Sequence, residues 1–428
     1  MINLKSRNIL IYGIGITNQA VMDYLDKIGI NYDLYIDSMK KEVELEKYNL
    51  IIKTPGIKPA SKIIEKAKSL NIQIITDLEL YYLLNESSPI IGVTGSNGKT
   101  TVVTLIDKIL NSTYHFVKGG NIGIPLFSLI DKPKDGSIIE CSSFELDGTK
   151  SFKPHVWVIL NIEKHHLDYH QSFEKYFNTK TKCLDQMKSD DIVIYNYDDL
   201  NLREFIKRYN IRKFSFSLGN KAADIYIHEN KIFYHNQEYL NLSCCKTKNK
   251  TINLDFMPTI IVGELYQISK SIINDVLINF QTLEHRCEIV KETKDIVIIN
   301  DSKATSPTAT LQAFEYIKTQ FKEFEPLWIA GGKLTMDDYK VINNVDIKKV
   351  KTYLFGENKE NLSKILNKDI FDIQLFPSLE EIIKAIYKEN LRKKIILFSP
   401  SSPSFDQYKS FEERGKAFKE LINLYDKT

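Results

Sequence analysis

Cysteine is the first scarcity in this chain: five in 428 residues. Cys141, Cys183, Cys244, Cys245 and Cys287 show no CxxC pair and no disulfide-like spacing. That excludes a disulfide-stapled secreted scaffold and a CxxC redox or zinc motif. Reduced thiols in a cytoplasmic protein are the expectation. Net charge is also scarce. Lys and Arg number 58 against 55 Asp and Glu, leaving +3, so no nucleic-acid partner or anionic membrane surface is called for. Long apolar runs are missing as well. No segment approaches the ~20 residues of a membrane-spanning helix, and no membrane insertion is expected. The start "MINLKSRNILIYGIG" holds only a short apolar run that leads into a glycine turn, unlike a signal peptide. There is no internal repeat and no low-complexity tail.

What is present is an ordinary globular balance, 43% apolar and 26% charged, on a chain long enough for two to four domains. Short apolar runs alternate with helical periodicity. "NILIYGIG", "YDLYIDS" and "YNLIIKTPG" read as strands, with helices between them. "NESSP" at 85–89 reads as a linker. A second α/β part follows with the strands "SIIECSSFEL", "HVWVILNIEKHHLD" and "DDIVIYNYDD". Residues 211–256 are strand-like, with a hairpin in "KIFYHNQEYLNL", and "VGELYQISKSIINDVLINF" is helical. A third part begins near 283–289, with strands "DIVIINDS", "PLWIAGG", "VKTYLFGEN" and "KKIILFSPSS". Such alternation predicts α/β domains built on mostly parallel sheets. The expected domains are 1–88, 89–284 and 285–428.

Two glycine-rich turns stand out. "GVTGSNGKTT" follows an apolar strand and opens the helix "TTVVTLIDKIL", the setting of a phosphate loop. Gly95, Ser96, Asn97 and Gly98 would turn backbone amides toward phosphate at the positive helix end. Lys99 would neutralise the β/γ-phosphates, and Thr100, followed by Thr101, would ligate Mg²⁺. The spacing is unusual: the common pattern places glycine where Val93 stands. "GIGITN" at 13–18 is a weaker signal, because a dinucleotide fingerprint wants glycine at Asn18. Asp37 closes the next strand, where a ribose-binding acid would lie.

Other polar clusters lie at strand ends. Glu140 is a candidate Mg²⁺ ligand there. His166 and His170 could share a helix face and a metal, one histidine could sit beside a nucleotide's Mg²⁺, or both could be surface residues. In "NDSKATSPTATLQAF", Asp301, Ser302, Lys303 and Thr305 gather where ligands are held, while Ser306 and Pro307 start a helix.

Taken in order, "TGSNGKTT", "GGNIGIPL", "ECSSFEL", "LNIEKHHLDYH", "HRCE", "INDSKATS", "AGG" and "SPSSPSFDQYKSFEERGKAF" resemble the Mur ligases of bacterial cell-wall synthesis over nearly the whole chain. The loop is shared with the wider superfamily, including folylpolyglutamate synthetases. The "NDSKAT" and "S-x-D-Q-[FY]-x-x-F-x-x-R-G" elements resemble the members that add D-glutamate to UDP-N-acetylmuramoyl-L-alanine. The resemblance implies three domains: a Rossmann-like N-terminal domain for the UDP substrate, a central P-loop domain for ATP, and a Rossmann-like C-terminal domain for the amino acid. It also implies an acyl-phosphate mechanism, a hinge near 283–288, and a monomer.

Residue by residue it implies the following. Ile16, Thr17, Asp37, Thr54, Asn121 and Ser142 hold the UDP substrate. Lys99, Glu140, His166 and Lys180 are catalytic, with Thr100, Glu140 and His166 on Mg²⁺. Lys180 matches a lysine that the family carbamylates, which would bring it to the metal too. His285, Arg286 and Asp301 lie near ATP. Lys303, Thr305, Ser404 and Phe411 form the D-glutamate pocket. The chain departs from the family at several points. His165-His166 stands for Asp-His, Tyr169 for Arg, and "SSFEL" for "SSFQL", so that an anion at Glu145 is expected to repel the substrate's own anionic groups. The asparagine helix near adenine aligns on Tyr266 and Ser269. "GGDGK" shrinks to "GGK", leaving Lys333 as its lysine. Other outcomes of the same pattern are a ligase of different specificity, a nucleotide-sugar-binding relative without turnover, and a nicotinamide enzyme using "GIGITN".

Overall fold

The computed structural model describes residues 2–39, 43–85, 88–163, 166–247, 250–335, 339–347, 349–389 and 391–426. Two residues of the expected linker, Glu86 and Ser87, and His165 lie outside the described residues. The chain forms two compact units. One is Met1–Cys245 with Ile252–Asn279; the other is Lys246–Thr251 with Phe280–Thr428.

The first unit holds two sheets. The smaller contains β1 (Ile9–Tyr12), β2 (Tyr32–Tyr35), β3 (Leu50–Lys53) and β4 (Gln73–Ile75), in the order β2-β1-β3-β4. All its pairings are parallel. β1 and β3 are buried at every position, as unbroken apolar runs covered by helices on both faces must be. The larger sheet has nine strands: β5 (Ile90–Thr94), β6 (Phe116–Gly120), β7 (Gly136–Glu140), β8 (Val156–Ile159), β9 (Ile192–Asn196), β10 (Arg212–Ser217), β11 (Ile225–His228), β12 (Lys231–Tyr234) and β13 (Gln237–Asn241). Their order is β13-β12-β11-β10-β9-β8-β5-β7-β6. The strands from β6 to β11 pair in parallel, and β11, β12 and β13 form an antiparallel meander. The hairpin expected in "KIFYHNQEYLNL" is the β12–β13 pair. His235 and Asn236 take positive φ in its tight turn, as a two-residue hairpin requires.

The second unit carries β14 (Glu288–Glu292), β15 (Ile296–Asn300), β16 (Glu325–Gly331), β17 (Val350–Phe355), β18 (Phe371–Leu375) and β19 (Lys394–Phe398), ordered β14-β15-β19-β16-β17-β18. Only the β14–β15 pairing is antiparallel. Trp328, Phe314 and Leu354 fill one face of this sheet, and Tyr353, Phe398 and Phe418 the other.

Three element assignments are corrected, one being the strand expected through "HVWVILNIEKHHLD", which stops at Ile159 and gives way to the helix Leu167–His170. The strand expected through "SIIECSSFEL" stops at Glu140, and Ser143–Asp147 is a helix. Ser142 caps that helix and Glu145 answers it, forming a capping box, so backbone donors are satisfied only by turning helical. The strand-like reading up to 256 also ends early, because Lys250–Leu265 is one helix with Pro258 inside it.

Candidate active site

The phosphate-loop segment lies where strand and helix signals placed it. β5 ends at Thr94, and the helix Lys99–Leu110 starts after Gly98. Gly98 has φ +84, and a Cβ there would sit 2.5 Å from Asp255 Oδ1. Both the left-handed backbone and the packing select glycine. Asn161, just beyond β8, holds the loop open. Its carbonyl accepts from Ser96 N (2.9 Å) and its Oδ1 from Asn97 N (2.9 Å). Lys99 Nζ folds back and donates to Gly95 O (2.8 Å) and Ser96 O (3.0 Å). Thr100 is half-buried and Thr101 buried in the first helical turn.

β7 and β5 pair side by side, with Glu140 opposite Val93. This brings Glu140 beside the loop. Its Oε1 accepts from Asn121 Nδ2 (2.9 Å). Its Oε2 is buried and has no hydrogen-bond partner among the described residues. An orphaned carboxylate oxygen at such a strand end fits a divalent cation. Lys180, on the helix Phe173–Thr181, is 1% exposed. Its Nζ donates to Thr94 Oγ1 (3.1 Å) and Gly95 O (3.0 Å). Burial first, and the charge of Lys99 next, hold its pKa well below the usual lysine range. The amine is therefore biased to its neutral, nucleophilic form. Lys99, Lys180 and Glu140 thus gather at the C-terminal ends of β5 and β7.

His166 has φ +52 and precedes the short helix Leu167–His170. Its ring lies 4.7 Å from that of Phe144. His170 is buried, not at the surface, and its Nε2 pairs with Ser143 Oγ at 3.0 Å. The expected repulsion from Glu145 is corrected. Glu145 Oε2 turns inward and accepts from Ser142 N (2.8 Å) and Ser142 Oγ (2.7 Å). Burial, then the charge of Asp77, raises its pKa to about 8, which favours the neutral acid over the anion.

In the smaller sheet, Gly13 has φ +88, and a Cβ there would meet Ile57 Cδ1 at 2.8 Å and Thr54 Oγ1 at 2.9 Å. The 13–15 turn and the 54–57 turn therefore press together. Thr54 Oγ1 is buried with no partner among the described residues. Ile16 is exposed and Thr17 half-buried at the start of the helix Ile16–Lys27. Asp37 Oδ1 accepts from Tyr12 OH at 2.9 Å. Asn18 is fully buried, with Nδ2 donating to Gly13 O (2.9 Å) and Tyr12 O (3.2 Å). Asparagine stands where the fingerprint wants glycine because it laces the turn to its strand.

The second unit gathers its own candidates. Asp301 Oδ2 accepts from Ser399 Oγ (2.8 Å) and Oδ1 from Cys287 N (3.1 Å), while burial raises its pKa to about 7. Arg286 is half-buried, one residue before Cys287. Lys303 Nζ lies 3.8 Å over the Phe411 ring. Ser404 is buried, and Thr305 half-buried. Lys333 N donates to Pro403 O (2.8 Å), joining the short "GGK" loop to the serine-rich loop. Arg414, the arginine of the "S-x-D-Q-[FY]-x-x-F-x-x-R-G" element, had no role assigned from the sequence. It is fully buried and donates to Ser302 Oγ (3.1 Å), Ser302 O (2.8 Å) and Ser402 O (2.9 Å). His285 is buried, and its Nδ1 pairs with Asn300 Nδ2 at 2.9 Å. It forms with Glu284 and Glu288 a cluster of metal-capable groups, but Lys419 already places its ammonium on both glutamates.

Neither Tyr266 nor Ser269 is an asparagine, and the phosphate-loop segment meets the opposite end of the helix that precedes them. Tyr266 lies past the end of the helix Lys250–Leu265, with its ring 5.4 Å from Phe116 and 5.9 Å from Tyr114. Asp255, near the start of that helix, is the part that meets Gly98. Eleven residues separate the two, about 16 Å of helix rise. Asp255 lies outside every motif, and Asn161 and Arg414 stood inside motifs without a role; their neighbours in space reveal what they do.

The strand-end loop with its lysine pair and acid has the make-up of a nucleotide-phosphate site in an α/β fold. Comparison with known proteins makes this specific. Residues 93–263 match the Mur ligase middle domain, and 285–402 the Mur ligase glutamate ligase domain. The chain is 32% identical over 438 residues to the UDP-N-acetylmuramoylalanine–D-glutamate ligase of Oenococcus oeni, covering 98% of each. It is 31% identical to the enzyme of that name from Caldanaerobacter subterraneus, again with 98% of each chain covered. Among solved structures, it superposes on the MurF ligase of Thermotoga maritima in complex with ADP, with TM-score 0.63, 18% identity, and 99% and 100% of the two chains covered. The MurC ligase of the same organism gives TM-score 0.63 at 16% identity, with 98% and 99% covered. The chain belongs to the Mur ligase family, whose members are ATP-dependent ligases.

Proposed function

We propose that this protein joins D-glutamate to UDP-N-acetylmuramoyl-L-alanine at the expense of ATP, a step of peptidoglycan precursor synthesis. The supporting observation is the convergence of Lys99, Lys180 and Glu140 at the end of β5. In the proposed division, 1–88 holds the UDP substrate, 89–284 ATP, and 285–428 the amino acid. A carboxylate is a poor electrophile. Its oxygen attacks the γ-phosphorus, the γ-phosphate's bond to ADP breaks, and an acyl phosphate forms. The amine of D-glutamate then attacks the acyl carbon, sheds a proton, and phosphate leaves as the amide forms. Negative charge gathers at both steps, which is why cations line the loop.

Lys99 neutralises the transferring phosphate, and the amides from Gly98 to Thr101, which Asn161 does not take, orient it. Arg286 and Asp301 are assigned to the ATP site. Mg²⁺, held by Thr100, Glu140 and His166, would supply further charge neutralisation. A neutral Lys180 amine is the form that takes up CO₂, and the resulting carbamate would add an anionic ligand. Ile16, Thr17, Asp37, Thr54, Asn121 and Ser142 are assigned to the UDP substrate; Lys303, Thr305, Ser404 and Phe411 to D-glutamate, whose two carboxylates suit a lysine and hydroxyls. We read the protein as a cytoplasmic monomer. The test is phosphate release by purified protein. Release is expected only when UDP-N-acetylmuramoyl-L-alanine, D-glutamate, ATP and Mg²⁺ are present together. Release with L-lysine or meso-diaminopimelate in preference to D-glutamate would refute the assigned specificity.

A further inference from the structure

Lys53 is out of place by composition. It ends β3 after three fully buried aliphatic residues and is itself 2% exposed. A buried ammonium costs several kcal/mol unless it is solvated by the fold. Here the solvating groups are specific. Lys53 Nζ donates to Tyr169 OH (3.0 Å), Ile57 O (3.2 Å) and Pro55 O (3.3 Å), with Asp147 Oδ2 at 3.8 Å. The ammonium thus binds two carbonyls of the turn that starts at Thr54.

Tyr169 closes the arrangement from the other sheet. Its hydroxyl lies 3.2 Å from each of Pro55 O, Ile57 O and Asp147 Oδ2. With one proton, it accepts from Lys53 and donates to one of these three. The ring is 4% exposed and packs edge-on to Phe144 at 4.7 Å. The Tyr169 amide donates to His166 O at 3.1 Å. Burial lowers the Lys53 pKa to about 8, against the opposing pull of Asp147, so the cation survives at neutral pH. One pair of side chains therefore ties the 54–57 turn, which walls the Gly13 turn, to the segment that carries His166.

We propose that Lys53 and Tyr169 are positioning residues for a nucleoside-diphosphate-sugar substrate, locking the 54–57 turn to the His166 segment so that the substrate's nucleotide end and reacting end are held in fixed register. This rests on the function proposed above. Neither residue touches the reacting atoms; both act through the turn.

The test uses full-length protein with Lys53→Met, Tyr169→Phe and the double substitution. KM is measured for each substrate, with kcat, alongside the calorimetric Kd of UDP-N-acetylmuramoyl-L-alanine without ATP. Each single change should raise that Kd and the matching KM by about tenfold. KM for ATP and D-glutamate should stay within about twofold, and the double variant should fall well short of the product of the singles, since both hold one turn. An unchanged Kd in soluble Tyr169→Phe protein, which keeps the ring packing, overturns the proposal. So does an equal rise in all three KM values. If wild-type protein binds the nucleotide sugar but releases no phosphate, the functional reading fails while the Kd comparison still decides this one.

Discussion

Replacing Glu145 by glutamine should stabilise the protein, and do so only above acid pH. Glu145 is 3% exposed and Asp77 1%. Neither Asp77 oxygen has a hydrogen-bond partner among the described residues. Burial is the larger cause of the raised Glu145 pKa of about 8, and Asp77 the next. The sign follows from comparing states. Below about pH 4.5 the group is protonated both folded and unfolded, and costs nothing. Between there and pH 8 the unfolded chain ionises while the folded one keeps its proton. Stability therefore falls as pH rises, by about 1.4 kcal/mol per unit. At pH 8 the penalty is at most about 4 kcal/mol, an upper figure because Asp77 carries part of the same cost. Glutamine retains an oxygen for Ser142 N and Oγ, so the capping box survives, and it has no proton to lose. Thermal unfolding should show a midpoint higher by about 4 °C at pH 8 and an unchanged one at pH 4.5. Equal midpoints at pH 8 would refute the reasoning. An equal gain at both pH values would show a packing effect instead.

Lys180→Ala should lower phosphate release by more than about 100-fold while leaving calorimetric binding of an ATP analogue within about threefold; added bicarbonate should not restore it, and normal turnover would remove Lys180 from the chemistry. Gly98→Ala places a side chain at φ +84. Left-handed strain costs about 1–2 kcal/mol and the approach to Asp255 adds to it, read as at least a fivefold weaker ATP-analogue Kd. Arg414→Leu removes the donors held by Ser302 O and Ser402 O; urea unfolding of the second unit should show a loss of about 3 kcal/mol, and a change under 1 kcal/mol would mean that water replaces the arginine.

Legibility tracked how local each cause is. β1, β3, β5, β8, β15 and β19 announce themselves because a strand buried on both faces is an unbroken apolar run. The phosphate loop was readable for the same reason: strand, glycines, lysine and helix are contiguous. Ser306 capping and Pro307 opening the helix Pro307–Gln320 were equally local, and the structure has both. "SSFEL" was misread although its signal was present. Ser142 and Glu145 have the spacing of a capping box, but the preceding apolar run outweighed it. The start of the helix Lys250–Leu265 was lost partly because Pro258 argues against a helix interior. The roles of Asn161, Asp255 and Arg414 could not be read. Each acts on a residue far away in sequence.

Two of the departures from the family pattern lie together. Tyr169 joins Lys53 and the 54–57 turn. Glu145 faces Asp77 and takes Thr76 Oγ1 on its carbonyl at 2.8 Å. Both lie where the smaller sheet's elements meet the larger sheet's within the first unit. Around the loop, Lys99, Glu140 and Lys180 keep the family's residues. Lys53 places an ammonium beside Tyr169 across the same contact, and burial with Asp77 alongside favours the neutral acid at position 145. Loss of catalytic function would relax the buried, costly groups first, since each charges the fold several kcal/mol when left unpaired. Glu140 keeps its uncompensated oxygen and Lys180 its buried amine. Retention of those two expensive groups argues for a working ligase whose substrate wall has been re-pinned, and the Lys53 and Tyr169 substitutions measure that re-pinning directly.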